Sequence, residues 1–155
     1  MRLVIQRVKR SAVTIEGRDK HEIGQGMCVL IGVTHGDTEK DADWLADKMS
    51  GLRIFSDSEG KTNLSLRDID GEVLLVSQFS LYASYKGRRP GFSDAAKPEH
   101  AERIYDYFVK KVQSLGFKKV ACGKFGADME VEIINDGPLT FIIESPAKQN
   151  QNQEG

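Results

Sequence analysis

The chain has few of the residues that mark disulfide-stabilised, metal-binding or membrane proteins. Its 155 residues include two cysteines and three histidines, and no apolar run is long enough to cross a bilayer. Cys28 and Cys122 form no CxxC pair, so we expect free thiols in a reducing compartment. The histidines lack zinc-ligand spacing, and the charged opening MRLVIQRVKR does not resemble a signal peptide. These features predict a cytoplasmic protein without a metal site.

Neither positive nor negative charge is in excess. Lys and Arg total 22 against 23 Asp and Glu, which gives a formal net charge of −1. The balance excludes a global polycation, so any RNA contact must depend on a local basic patch. The length and the hydrophobic fraction of 39% fit one globular domain, which we assign to residues 1–145. The polar, low-complexity residues 146–155 are predicted to be a disordered tail.

Strand patterns dominate the chain, and two helical patterns interrupt them. Val- and Ile-rich runs bounded by glycines predict the strands, at residues 2–8, 12–16, 22–26 leading into 27–34, 52–55, 72–78, 129–134 and 139–144. Strands that occur in clusters, rather than alternating singly with helices, favour an antiparallel or mixed sheet. The predicted fold class is therefore mostly β with two helices (α+β), with a sheet that closes like a barrel.

The two helices are predicted from apolar spacing and from their start signals. One begins at Thr38, which forms a capping-box pattern with Asp41, and continues to about Leu52. The other begins at Pro98, a favourable first-turn residue, and ends near Gly116.

Polar residues appear at the end of the predicted strand 72–78, in the motif VSQFSLYA. Ser80 could act as a nucleophile or position a water molecule, with Ser77 beside it. Gln78, or the backbone N–H groups of Phe79 and Ser80, could stabilise an oxyanion. Because no GxSxG motif surrounds Ser80 and no base can be placed beside it, ordinary strand-end hydrogen bonding is the alternative.

The segment YASYKGRRPGF, residues 82–92, alternates basic and aromatic side chains. Its cations are Lys86, Arg88 and Arg89, and its rings are those of Tyr82, Tyr85 and Phe92. Cations that hold phosphates beside rings that stack on bases are typical of sites for a single-stranded RNA end. A solvated basic loop without a ligand is the alternative.

The stretch NDGPLTF, residues 135–141, places Gly137-Pro138 between two predicted strands. Proline cannot donate to a sheet ladder, so a hairpin turn is the ordinary interpretation. The other interpretation is that the peptide bond before Pro138 is cis and serves a function. The sequence alone leaves both open.

Together, SQFSLYA and NDGPLTF resemble the two signature motifs of the D-aminoacyl-tRNA deacylase family. The resemblance extends from MRLVIQRV through GFSDAAKPEHAERIYDYF and GKFGADMEVEIINDGPLTF, and it ends near Glu144. Ser80 stands where the family usually has threonine, which keeps the hydroxyl group but loses a methyl group. Leu139 replaces a common valine.

The resemblance implies a homodimer of barrel-like subunits with the active site at their interface and no cofactor. Gly137-Pro138 is similar to the family's cis dipeptide, which enters the partner's pocket and rejects L-amino acids. Arg7 looks like the residue that supports the dipeptide, although an ordinary strand arginine is the alternative. Met129 is assigned to the same substrate-binding group.

The implied reaction is hydrolysis of the ester between a D-amino acid, or glycine, and the 3′-terminal adenosine of tRNA. The residues implied in catalysis are Ser77, Gln78, Phe79 and Ser80, and those implied in tRNA binding are Lys86, Arg88, Arg89 and Phe92. Two routes stay open: attack by Ser80, or attack by water assisted by the RNA 2′-hydroxyl. A nucleic-acid-binding dimer without hydrolytic activity is the alternative function.

Overall fold

The computed structural model describes residues 1–146, so the predicted tail, except for its first residue, lies outside the described residues. The described part contains eight strands, two α-helices and a short 3-10 helix at Phe79–Tyr82. The strands are β1 (Arg2–Ile15), β2 (Asp19–Ile23), β3 (Gly26–Gly32), β4 (Phe55–Ser56), β5 (Thr62–Leu64), β6 (Glu72–Ser77), β7 (Lys119–Cys122) and β8 (Met129–Glu144). The helices are α1 (Glu39–Gly51) and α2 (Pro98–Gln113). Neither helix in residues 1–146 has the length and apolarity needed to cross a membrane.

The central strand of the main sheet is β1. Strand β8 pairs antiparallel with one edge of β1, and β3 and then β2 pair antiparallel with the other edge. Beyond β3 the sheet continues with β6 and β7, and both of these pairings are parallel. Strands β4 and β5 form a separate ribbon. The predicted fold class, mostly β with two helices and a mixed, barrel-like sheet, is confirmed.

Alternation along the strands divides the core into two clusters. One cluster lies between one face of the sheet and the two helices. Its apolar side chains include Leu3, Ile5, Val29 and Leu75 from the strands, and Leu45, Met49, Ile104 and Phe108 from the helices. The opposite face contributes a second cluster, which includes Val8, Val13, Ile15, Cys28, Leu74 and Val76. Burying one such side chain contributes about 1.5–3 kcal/mol. The helices therefore cover one face of the sheet.

The predicted helix starts agree with the structure. Thr38 is the N-cap of α1, and its N–H donates to Asp41 Oδ2 over 2.8 Å, as the capping-box pattern predicted. Helix α2 begins at Pro98 as predicted, but it ends at Gln113 rather than near Gly116.

Two strand predictions are wrong. Residues 2–8 and 12–16 were predicted as separate strands, but they belong to the single strand β1. Residues 135–141 do not form a hairpin turn between two strands, because β8 continues from Met129 to Glu144 and pairs with β1 on both sides of that segment. Strand β4 begins at Phe55, where the predicted strand 52–55 ends, and β5 and β7 were not predicted.

The parallel pairing of β3 with β6 requires a glycine at position 26. A Cβ atom at Gly26 would lie 1.8 Å from the carbonyl oxygen of Glu72, which is a backbone atom that cannot move aside. A Cβ atom at Gly51, at the end of α1, would meet no atom within 4 Å beyond its chain neighbours and the backbone of its own helix.

We predict that Gly26→Ala destabilises the protein by about 1–3 kcal/mol or more, because β3 and β6 must separate to admit the methyl group. Gly51→Ala is the matched control and should be neutral or slightly stabilising, since a helical alanine is favoured over glycine. Urea unfolding followed by circular dichroism measures both. Equal stability of the two variants would contradict the prediction.

Candidate active site

A cavity of about 640 Å³ lies where β6 ends. Most of its wall is apolar, and most of its polar side chains come from the end of β6 and the turn that follows it. The lining residues are Ser77, Gln78, Phe79, Ser80, Phe92, Ala95, Ala96, Pro98, Ala101, Phe125, Gly126, Ala127, Asp128 and Met129. Such a cavity, with a few polar groups at one end, is the usual form of a small-ligand site.

The turn after β6 lines the cavity and leaves two backbone N–H groups without an acceptor in the turn itself. Gln78 N–H donates to the Ile31 carbonyl over 2.8 Å, and this bond attaches the turn to β3. The first bond inside the 3-10 helix runs from Leu81 N–H to the Gln78 carbonyl, over 3.2 Å. The N–H groups of Phe79 and Ser80 precede that bond and therefore have no acceptor within the helix. Two adjacent donors of this kind can stabilise an oxyanion.

The hydroxyl group of Ser80 is oriented by an amide and not by a base. Gln78 Nε2 donates to Ser80 Oγ over 3.2 Å. Among residues 1–146, no histidine, lysine or carboxylate forms a hydrogen bond with that hydroxyl. A hydroxyl group held by an amide donor suits positioning of a ligand or water better than nucleophilic attack. The role of Ser80 stays a prediction.

The 3-10 helix is attached to β1 by Arg2, which the sequence did not indicate. Arg2 Nη1 donates to the Leu81 carbonyl over 2.5 Å, and the guanidinium lies 4.7 Å from the centroid of the Tyr82 ring. Burial raises the pKa of the Tyr82 hydroxyl above its ordinary value. Arg2 also pairs with Glu144 at the end of β8. An isolated arginine at the second position gives no sequence signal for this contact.

The basic segment forms a loop beside the cavity. Ser84 and Gly91 pair through two backbone hydrogen bonds of 2.8 and 2.9 Å. Between them the cations predicted for tRNA, Lys86, Arg88 and Arg89, are exposed. Phe92 follows the loop and packs edge-to-face on Phe79, with ring centroids 4.8 Å apart. The aromatic pair therefore joins the basic loop to the turn that carries Ser80.

Residues Asp136–Leu139 form an arch in β8, which we define by those bounds. The peptide bond Gly137-Pro138 within it is cis, and both residues are exposed. Arg7, only 8% exposed, donates from Nε to the Asp136 carbonyl and from Nη1 to the Ile54 carbonyl, each over 3.0 Å. Arg7 therefore lies directly beneath the arch, and its role in supporting a bound substrate stays a prediction.

The structure brings together one part of the predicted site and separates the other. Ser77, Gln78, Phe79, Ser80, Phe92 and Met129 all line the cavity. The arch lies at Arg7 on β1, whereas the cavity's turn is held by Arg2. The lining of the cavity includes no residue of the arch. In one chain, Gly137 and Pro138 therefore do not line the cavity.

Sequence reasoning missed the cavity wall formed by Phe125 and Asp128, because these residues precede β8 in a loop without a periodic pattern.

Within residues 1–146, no cluster of three or more His, Cys, Asp or Glu side chains is arranged to hold a metal ion. The expectation of a reaction without metal or cofactor stays a prediction.

Comparisons with known proteins agree with one another over nearly the whole chain. Residues 4–144 match the family model of D-Tyr-tRNA(Tyr) deacylase. The D-aminoacyl-tRNA deacylase of Bacillus cereus (strain G9842) is 53% identical over 146 residues, which cover 94% of this chain and 99% of that protein. The D-aminoacyl-tRNA deacylase of Caldicellulosiruptor saccharolyticus (strain ATCC 43494 / DSM 8903 / Tp8T 6331) is 54% identical over 146 residues, which cover 94% of this chain and 97% of that protein.

A solved structure described as c-Myc DNA unwinding element binding protein superposes with a TM-score of 0.88 at 41% identity, covering 95% of this chain and all of that one. The fold and the matching family define a hydrolase of the aminoacyl-tRNA deacylase class. The chain belongs to the D-Tyr-tRNA(Tyr) deacylase family. The family resemblance that the two motifs indicated is thus confirmed.

Proposed function

We propose that the protein hydrolyses the ester bond between a D-amino acid, or glycine, and the 3′-terminal adenosine of tRNA. The observation that carries this proposal is the cavity at the end of β6, lined by the whole segment Ser77–Ser80 in a chain of this family. The substrate acts in translation, and this supports the predicted cytoplasmic location.

The reaction needs little chemical assistance, because an aminoacyl ester is already activated. The N–H groups of Phe79 and Ser80 stabilise the oxyanion that forms on the ester carbonyl. Water attacks with the help of the RNA 2′-hydroxyl, while Gln78 and Ser80 position the reacting groups. The hydrogen bond from Gln78 Nε2 to Ser80 Oγ supports this route over covalent attack, since it supplies a donor where a nucleophile needs a base.

The proposed enzyme is a homodimer in which the arch of one subunit enters the cavity of the other. Two features support this arrangement: the separation of arch and cavity within one chain, and the free outer edge of β8. Among residues 1–146, no strand other than β1 pairs with β8, and Ile142 on β8 is 67% exposed. An unpaired strand edge that carries an exposed apolar side chain is suited to pairing with a second copy.

In this dimer the arch distinguishes the two hands of the amino acid. The backbone carbonyls of Gly137 and Pro138 accept hydrogen bonds from the substrate's α-ammonium group and occupy the space that an L side chain requires. Selection by backbone atoms needs no pocket for one side chain. The enzyme should therefore accept many D-amino acids, and it should also accept glycine, which has no side chain to exclude.

The central test compares matched D- and L-aminoacyl-tRNAs with the purified protein. We predict rapid release of the amino acid from the D form, and release from the L form no faster than in buffer. Glycyl-tRNA should also be deacylated. Equal release from the D and L forms, or no release from either, would contradict the proposed function.

Ser80→Ala separates the two chemical routes. We predict that the kcat of the variant stays within about tenfold of the wild-type value, because positioning groups contribute less than a nucleophile does. A covalent route would instead cost several orders of magnitude, since the acyl-enzyme could not form. Single-turnover deacylation of D-aminoacyl-tRNA measures the difference, and Ser84→Ala, in the neighbouring loop, is a serine-to-alanine control.

The basic loop should bind phosphates near the acceptor end of the tRNA. We predict that Arg88→Ala/Arg89→Ala weakens tRNA binding and lowers the slope of log K against log salt by about one to two. Lys20→Ala/Lys61→Ala removes the same charge from exposed sites elsewhere and should leave the slope unchanged. An unaltered slope in the arginine variant would exclude these phosphate contacts.

Nucleic-acid binding without hydrolysis is the second candidate function. It is favoured by the name of the solved relative at 41% identity, a DNA unwinding element binding protein, and by the exposed cations of the loop. The near-neutral net charge disfavours broad binding. Tight binding of DNA or tRNA by a protein that releases no D-amino acid from charged tRNA would select this function.

A further inference from the structure

A network of three side chains holds the arch through Asn135, separately from Arg7. Asn135 Oδ1 accepts a hydrogen bond from Leu139 N–H over 2.8 Å, and this bond closes the arch across its base. Gln6 Oε1 accepts hydrogen bonds from Asn135 Nδ2 and from Thr140 Oγ1. Thr140 Oγ1 also accepts from Asn135 Nδ2 over 3.3 Å. We call Gln6, Asn135 and Thr140 the amide network.

The pairing register explains why these residues meet. Gln6 on β1 is opposite Thr140, and Val8 is opposite Asn135. Arg7 alone on β1 therefore faces the whole arch on β8, which leaves the arch without regular ladder partners. Side-chain hydrogen bonds must replace the missing backbone bonds, because exposed backbone would otherwise sample several conformations.

The contacts fix both ends of the arch and leave its centre free. Arg7 holds the carbonyl of Asp136 at the first residue. The amide network holds the N–H of Leu139 at the last residue. Between these points Gly137 and Pro138 have exposed backbone. A ligand-binding backbone that is fixed at both ends loses less entropy when it binds, and it keeps its carbonyls in one orientation.

We propose that Gln6, Asn135 and Thr140 are positioning residues that determine selectivity between D- and L-aminoacyl esters. The inference rests on the proposed function, in which the arch rejects L side chains. It assigns the rigidity of the arch to the side chains of its own subunit, so the selective surface is formed before the substrate arrives. None of the three residues needs to touch the substrate.

Thr140→Val and Thr140→Ser test the network most directly. Valine removes the hydroxyl group but suits an exposed strand position, so the variant should fold. Serine keeps the hydroxyl group and loses the methyl group. Asn135→Ala, which removes the acceptor for Leu139 N–H, is a second disruptive variant. Asn63→Ala, in the separate β4–β5 ribbon, is the matched control.

The readout is kcat/KM for matched D- and L-aminoacyl-tRNAs, at enzyme concentrations that make the slow L reaction measurable. We expect the D-to-L ratio to fall by about 10- to 100-fold in Thr140→Val and in Asn135→Ala, because a displaced arch excludes L side chains less well. Thr140→Ser and Asn63→Ala should retain the wild-type ratio. Thermal melting of each variant checks that the fold is retained.

A purely structural role would reduce both rates by the same factor and leave the ratio unchanged, and this result would overturn the inference. Loss of selectivity in Thr140→Ser equal to that in Thr140→Val would also overturn it, since the hydroxyl group would then be irrelevant. These results leave the proposed function intact as long as the wild-type protein prefers D esters. A wild-type protein with no such preference would overturn the proposed function and the inference with it.

Discussion

Both halves of the site depend on the pairing of β1 with β8, which extends from Arg2 and Glu144 to Ile15 and Met129. At one end of this pairing, Arg2 contacts the turn that carries Ser80 and also pairs with Glu144. In the middle, Arg7 supports the arch. Because one strand provides both arginines, any slip in its register would move the turn and the arch together.

Irregular register in the same pairing also explains why sequence patterns failed here. Leu3 and Ile5 belong to the core cluster beneath the helices, whereas Val13 and Ile15, which are also odd-numbered, belong to the cluster on the opposite face. Odd residues share a face in a regular strand, and the register shifts between Gln6 and Arg10 change that alternation. A pattern that changes phase is easily interpreted as two strands separated by a loop.

The features predicted correctly are local ones. Helix starts, the capping box and the polar residues at the end of β6 depend on neighbours a few positions away, and a single sequence contains that information. The sequence could not decide whether residues 135–141 form a turn or a functional segment. The hydrogen bonds that shape the arch come from Gln6 and Arg7, more than a hundred positions earlier in the chain. The contact of Arg2 with Leu81 is hidden for the same reason.

In the proposed reaction the groups that meet the substrate are mostly backbone groups: the N–H groups of Phe79 and Ser80, and the carbonyls of the arch. Apart from the N–H group that proline lacks, backbone groups are the same for every residue type. The sequence therefore specifies such a site mainly through the side chains that hold the backbone in place. This reasoning implies that the N–H group of Ser80 matters more than its side chain. It also places the strictest requirements on Arg2, Arg7 and Asn135, whose hydrogen bonds fix the two backbone segments.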